Sequence, residues 1–137
     1  MHHTMDPKRF FLAKGIERGY REWFARELQK SDTILLVAVQ TPQENEPIAY
    51  CYGRIEERDW NLLLDRHAAL HDIFVSPDAR RCSAASLLVE AFIARATTLG
   101  APRIVLSTAH SNQKAQLLFE KLGFRPTMIE MTRELEP

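Results

Sequence analysis

The stretch Val75 to Phe92, "VSPDARRCSAASLLVEAF", opens as the end of a strand and finishes as an amphipathic helix. Between the two lies Arg80-Arg81-Cys82-Ser83-Ala84-Ala85, a junction of basic and small residues. The N-terminus of a helix leaves its first backbone N–H groups without intrahelical partners and carries partial positive charge. Placed directly after a strand, those donors can hold a pyrophosphate without any special side chain. Glycine would let a phosphate approach such a backbone closely, yet this junction has none; Ser83 and Ala85 are the next smallest choices. Read alone, the junction fits an anion site or a plain helix start about equally well. Cys82 stands beside two arginines at the same N-terminus, a setting that in general favours a reactive thiolate.

Two further groups of residues are chemically suggestive. In "LHDIFV", His71 and Asp72 place an imidazole beside a carboxylate, and imidazole ordinarily titrates near pH 6.5, a value suited to proton transfer. A regular strand would send these two side chains to opposite faces. It would also separate His67 from His71 by roughly 13 Å, too far for a shared metal ion. The second group is the run "NQKAQLLFEKLGF" from Asn112 to Phe124, which follows a strand and stops at Gly123-Phe124.

These residues must be positioned by a small set of elements. Ile16, Tyr20, Trp23, Phe24 and Leu28 recur at helical spacing, so Pro7 to Lys30 is expected to be mostly helical. "TILLVAVQ", Thr33 to Gln40, is a β-branched apolar run that predicts a buried strand. The polar segment Thr41 to Pro47 predicts a hairpin turn, and Ile48 to Glu57 the returning strand, with a possible bulge at Gly53. Asp59 to His67 fits an apolar loop or one short helix, and Ala68 to Val75 a third strand. Ser83 to Leu99 is predicted helical, with Ala84, Leu87, Leu88, Ala91, Phe92 and Leu99 on its apolar side, Arg95 at the edge and Gly100 as its stop. Arg103 to Ala109 predicts a fourth strand. A helix capped by Ser111 follows, running to Leu122 with Ala115, Leu118, Phe119 and Leu122 apolar. Thr127 to Leu135 alternates as a final strand does. The order predicts an α/β domain with a mixed sheet, antiparallel early and with one parallel step across the helix at 83–99.

The whole chain bounds the possibilities further. Its 137 residues fit one domain, which commonly runs to roughly 100–150 residues. Eighteen basic and 18 acidic residues balance to zero formal charge, which argues against a dedicated nucleic-acid binder. No apolar run approaches the roughly 20 residues of a membrane span, and the N-terminus lacks a charged n-region followed by an apolar h-region, so no secretory signal is expected. Two cysteines, Cys51 and Cys82, do not make a disulfide framework, so a reduced, cytoplasmic setting is expected.

Together, V-x-P-x-x-R-x-x-S-x-A (Val75 to Ala85) and N-x-x-A-x-x-L-F-E-K-L-G-F (Asn112 to Phe124) resemble the GNAT superfamily of N-acetyltransferases. In that family the first segment is Arg/Gln-x-x-Gly-x-Gly/Ala and the second Asn-x-x-Ala-x-x-x-Tyr-x-x-x-Gly-Phe. The ending "GFRPTMIEMTREL" is also similar to family C-termini, so the resemblance spans about Ile16 to Leu135. It implies acetyl-coenzyme A as co-substrate, wedged where two neighbouring strands splay apart. By position, Ile73, Phe74 and Val75 would offer backbone groups to the pantetheine arm and thioester, much as a sheet edge pairs with a peptide. Arg80 and Arg81 would meet the pyrophosphate, together with backbone N–H groups of Arg81, Cys82, Ser83, Ala84, Ala85 and Ser86. Asn112 would bond the pantetheine or the adjoining strand, and Ala115 would leave room for it. A backbone N–H near Phe74 and Val75 would polarise the thioester carbonyl. His71 falls where a polyamine-acetyltransferase-like branch carries a glutamate that helps deprotonate the amine, and Asp72 would contact the acceptor amine or be satisfied by packing.

Three departures from the family pattern stand out. Ser83 and Arg81 replace common glycines. Phe119, in the cofactor-binding segment, replaces the tyrosine proposed to protonate the leaving thiolate, a loss typically costing about 10²–10⁴ in rate. The chain also looks trimmed ahead of its first helix, which would leave the "TILLVAVQ" strand with an exposed edge and favour a homodimer. Position in the family makes Cys82 an ordinary variable residue.

Two functional expectations follow. The first is an acetyl-coenzyme A-dependent transferase acting on a primary amine of a small molecule, with Trp60, Leu62, Leu63 and Leu64 along the acceptor pocket and Glu56, Glu57 and Asp59 suited to a cation. The second is a GNAT-like module that binds an acyl-coenzyme A with little or no turnover, consistent with Phe119 and Ser83.

Overall fold

The computed structural model describes Arg26 and residues 32–39, 47–77 and 83–136. The helix expected over Pro7 to Lys30 (apart from helical Arg26), the turn over 41–46, the N-terminal trimming, and Arg80, Arg81 and Cys82 lie outside these residues. The described residues belong to two compact units, one within 20–107 and one from residue 108 onwards.

The first unit is a four-stranded sheet in the order β1-β2-β3-β4, with one helix. Strand β1 (Thr33–Val39) pairs antiparallel with β2 (Pro47–Glu56), and β2 pairs antiparallel with β3 (His67–Val75). Helix α1 (Ala84–Thr98) then carries the chain over to β4 (Ile104–Leu106), which runs parallel to β3. A mixed α/β sheet with its parallel step at this helix is the architecture that the sequence predicts.

Helix α1 packs across β1, β2 and β3. Its buried side is Ala84, Leu88, Val89, Phe92 and Ala96, while Leu87 is 62% exposed. The expected stripe therefore has to be corrected: it contains Val89 and Ala96, and excludes Leu87 and Ala91. The facing sheet residues include Ile34, Cys51, Ile55, Ala68 and Leu70, all buried. Gly53 lies among them because a Cβ there would come within 2.5 Å of the Phe92 ring and 2.2 Å of the Ala69 carbonyl oxygen. Strand β1 is only half-buried, with Val37 and Val39 exposed, which corrects the expectation of a fully buried strand. α1 ends where Gly100 turns to φ +80; Gly100 N–H donates to Thr97 O and Ala101 N–H to Ala96 O. This satisfies the last carbonyls as a Schellman turn does. Arg66 adds its guanidinium to the carbonyls of Gly100 and Leu99, a favourable charge at a helix C-terminus.

Between β2 and β3 lies a loop rather than a short helix. Asp59 and Leu64 exchange two backbone hydrogen bonds, and Asp59 Oδ1 accepts the N–H groups of Asn61 and Leu62. Arg58 grips Asp65 across the neck of this loop with two 3.2 Å hydrogen bonds, which hold the Asp65 carboxyl below the usual range.

In the second unit, helix α2 (Gln113–Lys121) is capped by Asn112, whose Oδ1 accepts from Ala115 N–H at 3.2 Å. The cap is Asn112, where the sequence suggested Ser111. At the other end Gly123, with φ +95, stops the helix; its N–H donates to Glu120 O and Phe124 N–H to Phe119 O. The rings of Phe119 and Phe124 meet edge to face at 5.6 Å, the apolar contact that accompanies such a stop. Beyond it the expected final strand over Thr127 to Leu135 does not form: the segment has no regular structure, and Met128, Ile129, Met131 and Leu135 are 79–88% exposed. Alternation permits a strand, but only a partner's ladder of hydrogen bonds makes one.

Candidate functional site

The pairing of β2 with β3 contains one irregularity, and it falls on the residues of chemical interest. Gly53 pairs with Leu70 and Tyr52 with Asp72, so His71 is an extra residue on β3. This is a β-bulge, a device that re-aims side chains and is frequent beside active sites. The sequence placed a possible bulge at Gly53; the irregularity is opposite Gly53, on the partner strand.

The bulge overturns the expectation that His71 and Asp72 face opposite sides of the sheet. Tyr50 and Tyr52, two residues apart on a regular stretch of β2, share one face. Tyr50 donates its hydroxyl to Asp72 Oδ2 at 2.9 Å, and the His71 imidazole stacks on the Tyr52 ring with centroids 5.8 Å apart. His71 and Asp72 therefore both lie on the face away from α1. Phe74 is on the same face, 5.9 Å from the Tyr50 ring. Glu56 joins them: its Oε1 is 2.6 Å from His71 Nε2 and its Oε2 is 3.6 Å from His67 Nε2. His67 is buried, and its Nδ1 must carry a proton, because its 2.8 Å partner is the Asp65 carbonyl. The two histidines thus converge on one carboxylate, although strand spacing alone sets them well apart. Glu56 is the participant that sequence reasoning had assigned only to a loose acidic run. Its position opposite His67 in the register was the signal that could have found it.

The other acidic and apolar residues of that run serve the loop. Glu57 pairs with Arg66 at 3.6 Å, and Asp59 holds the turn. Trp60, Leu62 and Leu63 are 65–85% exposed, and Arg58 lies 5.2 Å from the Trp60 ring centre.

The strand edge expected to receive a pantetheine has a distinct geometry. The parallel pairing of β3 with β4 covers Ala68↔Ile104 to Leu70↔Leu106, whereas β3 continues through His71, Asp72, Ile73 and Phe74 to Val75. The two strands part company immediately before the bulge. Val75 leads on towards α1, whose first turn holds Ala84, Ala85 and Ser86. No acidic residue lies in that turn, and the Ser83 side chain does not cap it. The backbone N–H donors of such a turn fit an anion.

In the second unit, Asn112 spends its side-chain oxygen on capping α2, which leaves its amide NH₂ for other partners. Ala115 is half-buried, and Phe119 is buried against Phe124. Among the described residues, no group of three or more His, Cys, Asp or Glu side chains is arranged to hold a metal ion, and no helix is long and apolar enough to cross a membrane.

A mixed sheet whose parallel pair β3–β4 diverges at a bulge, followed by a helix whose first turn holds no acidic residue, fits the framework of an acyltransferase. The family comparison agrees: the model of the acetyltransferase (GNAT) family matches residues 4–124, and the chain belongs to that family. Solved structures share the fold. A tetramutant of the BH1408 protein from Bacillus halodurans matches with TM-score 0.80 and 20% identity, over 98% of this chain and 85% of that one. Aminoglycoside N-acetyltransferase AAC(6')-Iy in complex with CoA matches with TM-score 0.69 and 22% identity, over 93% and 97% of the two chains. Aminoglycoside 6'-N-acetyltransferase AAC(6')-Ih from Acinetobacter baumannii matches with TM-score 0.71 and 21% identity, over 88% and 81%. Curated protein sequences hold no significant match to the chain.

Proposed function

We propose that this chain is a single-domain enzyme that moves the acetyl group of acetyl-coenzyme A onto a primary amine of a small molecule. The observation that carries the reading is the parting of β3 from β4 after Leu70↔Leu106, with β3 running on to Val75 and into α1. In this reading the backbone of Ile73, Phe74 and Val75 receives the pantetheine amides and thioester. The N–H groups of Ser83, Ala84, Ala85 and Ser86, with Arg80, Arg81 and Cys82 ahead of them, receive the pyrophosphate. Asn112 and Ala115 contribute the family's second cofactor segment.

Transfer requires a neutral amine to attack the thioester carbonyl, forming the C–N bond as the C–S bond breaks. His71 is the base that takes the proton from the acceptor ammonium, and Asp72, held by Tyr50, contacts that ammonium through its remaining carboxylate oxygen. The carboxylates of Glu56 and Asp72 on one face favour a cationic acceptor, and the aminoglycoside acetyltransferases of similar fold support a small amine. The leaving thiolate needs no strong acid, since a thiol of ordinary pKa about 8.5 departs tolerably unaided. The reading extends to a reduced, cytoplasmic setting, consistent with the free Cys51 thiol, and to a homodimer. A stable monomer by light scattering at high concentration counts against the dimer.

One observation favours a second reading, an acyl-coenzyme A-binding module with little turnover. Phe119 takes the usual tyrosine's place and is engaged in closing α2 against Phe124. Calorimetry with acetyl-coenzyme A, followed by thiol release over a panel of amines, separates the two. Binding with amine-dependent thiol release supports the enzyme; binding without release on any amine supports the module; no binding sinks both.

A further inference from the structure

We propose that Glu56 is the positioning residue of His71, and this rests on the reading of His71 as the base. A carboxylate can only accept, so the 2.6 Å contact requires a proton on His71 Nε2. The distance is that of a charge-assisted hydrogen bond. With Nε2 committed, Nδ1 is the nitrogen that takes the acceptor's proton, and the imidazolium so formed lies against the Glu56 carboxylate. This is the general logic of a base oriented by a third group.

Three features tie Glu56 to this role. It sits at the end of β2 directly opposite His67, so the sheet register fixes its backbone. The competing contact, His67 Nε2 at 3.6 Å, is too long for a hydrogen bond, and His67 already spends its Nδ1 proton on the Asp65 carbonyl. On the other side, the bulge presents His71 and the Tyr52 ring stacks on it, so the imidazole plane is set independently of Glu56. Tyr52 thus restrains the ring's tilt, and Glu56 fixes which nitrogen is protonated.

The test uses the full chain. In wild type, a long-range ¹H–¹⁵N spectrum should show a protected His71 Nε2–H. Glu56→Ala should lose that signal and lower kcat at least about tenfold, but by no more than the roughly 10²–10⁴ that a general base supplies. Its acetyl-coenzyme A affinity by calorimetry should stay unchanged, which also certifies folding. Formate should restore part of the lost kcat. Glu56→Ala with His71→Ala should be no slower than His71→Ala alone, because the two act as one unit. If His71→Ala impairs turnover while Glu56→Ala leaves both kcat and the Nε2–H signal intact, the positioning role is overturned and the proposed function stands. If the wild type releases no thiol on any amine, the proposed function fails instead. In that case an absent Nε2–H signal still overturns the Glu56 assignment.

Discussion

The Tyr50 hydroxyl donates to Asp72 Oδ2 across the β2–β3 pair, on the same sheet face that carries His71. This bond assigns one carboxylate oxygen a structural task. Asp72→Asn should therefore lower kcat less than His71→Ala and act mainly on KM for the amine. Tyr50→Phe should cost about 1.5–3 kcal/mol of stability, the range for a hydrogen bond to a charged group. Steady-state kinetics and urea denaturation read the two outcomes; equal losses of kcat in the Asp72 and His71 variants would refute the division of labour.

His71→Ala should lower kcat by about 10²–10⁴ and flatten the acidic limb of its pH–rate profile. A profile of unchanged shape would leave His71 as structure.

Gly53→Ala should be among the more damaging small substitutions in the molecule. The added methyl meets Phe92 and the Ala69 carbonyl at distances that real Cβ atoms do not show. Overpacking of this kind costs about 1–3 kcal/mol or more, and here the backbone carbonyl has little room to yield. Thermal unfolding checks this, and a paired Phe92→Leu change should recover part of the loss.

Leu63 has φ +51 and a side chain 85% exposed, so it bears the strain of the left-handed region without burying its apolar surface. Leu63→Asn or Leu63→Gly should raise stability by about 1 kcal/mol, somewhat offset for glycine by greater freedom of the unfolded chain. A fall in melting temperature for both variants would show that the leucine makes a contact that outweighs the strain.

Burial pushes the Cys51 thiol up from 9.0 to about 11, opposed in smaller part by a hydrogen bond from the Leu36 backbone. The unfolded thiol ionises near pH 9 while the folded one stays protonated. The associated stability is thus complete below pH 9 and is lost as the pH rises through 11. Denaturation at pH 8 and pH 11 should show a smaller alkaline loss in Cys51→Ala than in wild type. Alkylation of native protein, located by mass spectrometry, should leave Cys51 unmodified at neutral pH.

Much of this architecture was legible in the residues themselves. β-Branched runs, helical spacing and the glycines at 100 and 123 act locally, so the first three strands, both described helices and their stops follow from the sequence with only small shifts at the ends, whereas the fourth strand, expected over Arg103 to Ala109, is only Ile104–Leu106. The two quoted motifs identified the family for the same reason: Asn112 caps its own helix, and Gly123-Phe124 closes it onto Phe119, all within a dozen residues. What depends on distant partners was not legible. The alternating segment Thr127 to Leu135 forms no strand because no described neighbour supplies a ladder, and the buried side of α1 was fixed by where Phe92 meets Gly53. Above all, the single inserted residue on β3 was invisible in a pattern of period two. That bulge puts His71 and Asp72 on one face and lets Glu56 reach His71 at 2.6 Å. Sequence determined which residues were available for chemistry; the cross-strand register, a property of two chain segments together, decided which of them meet.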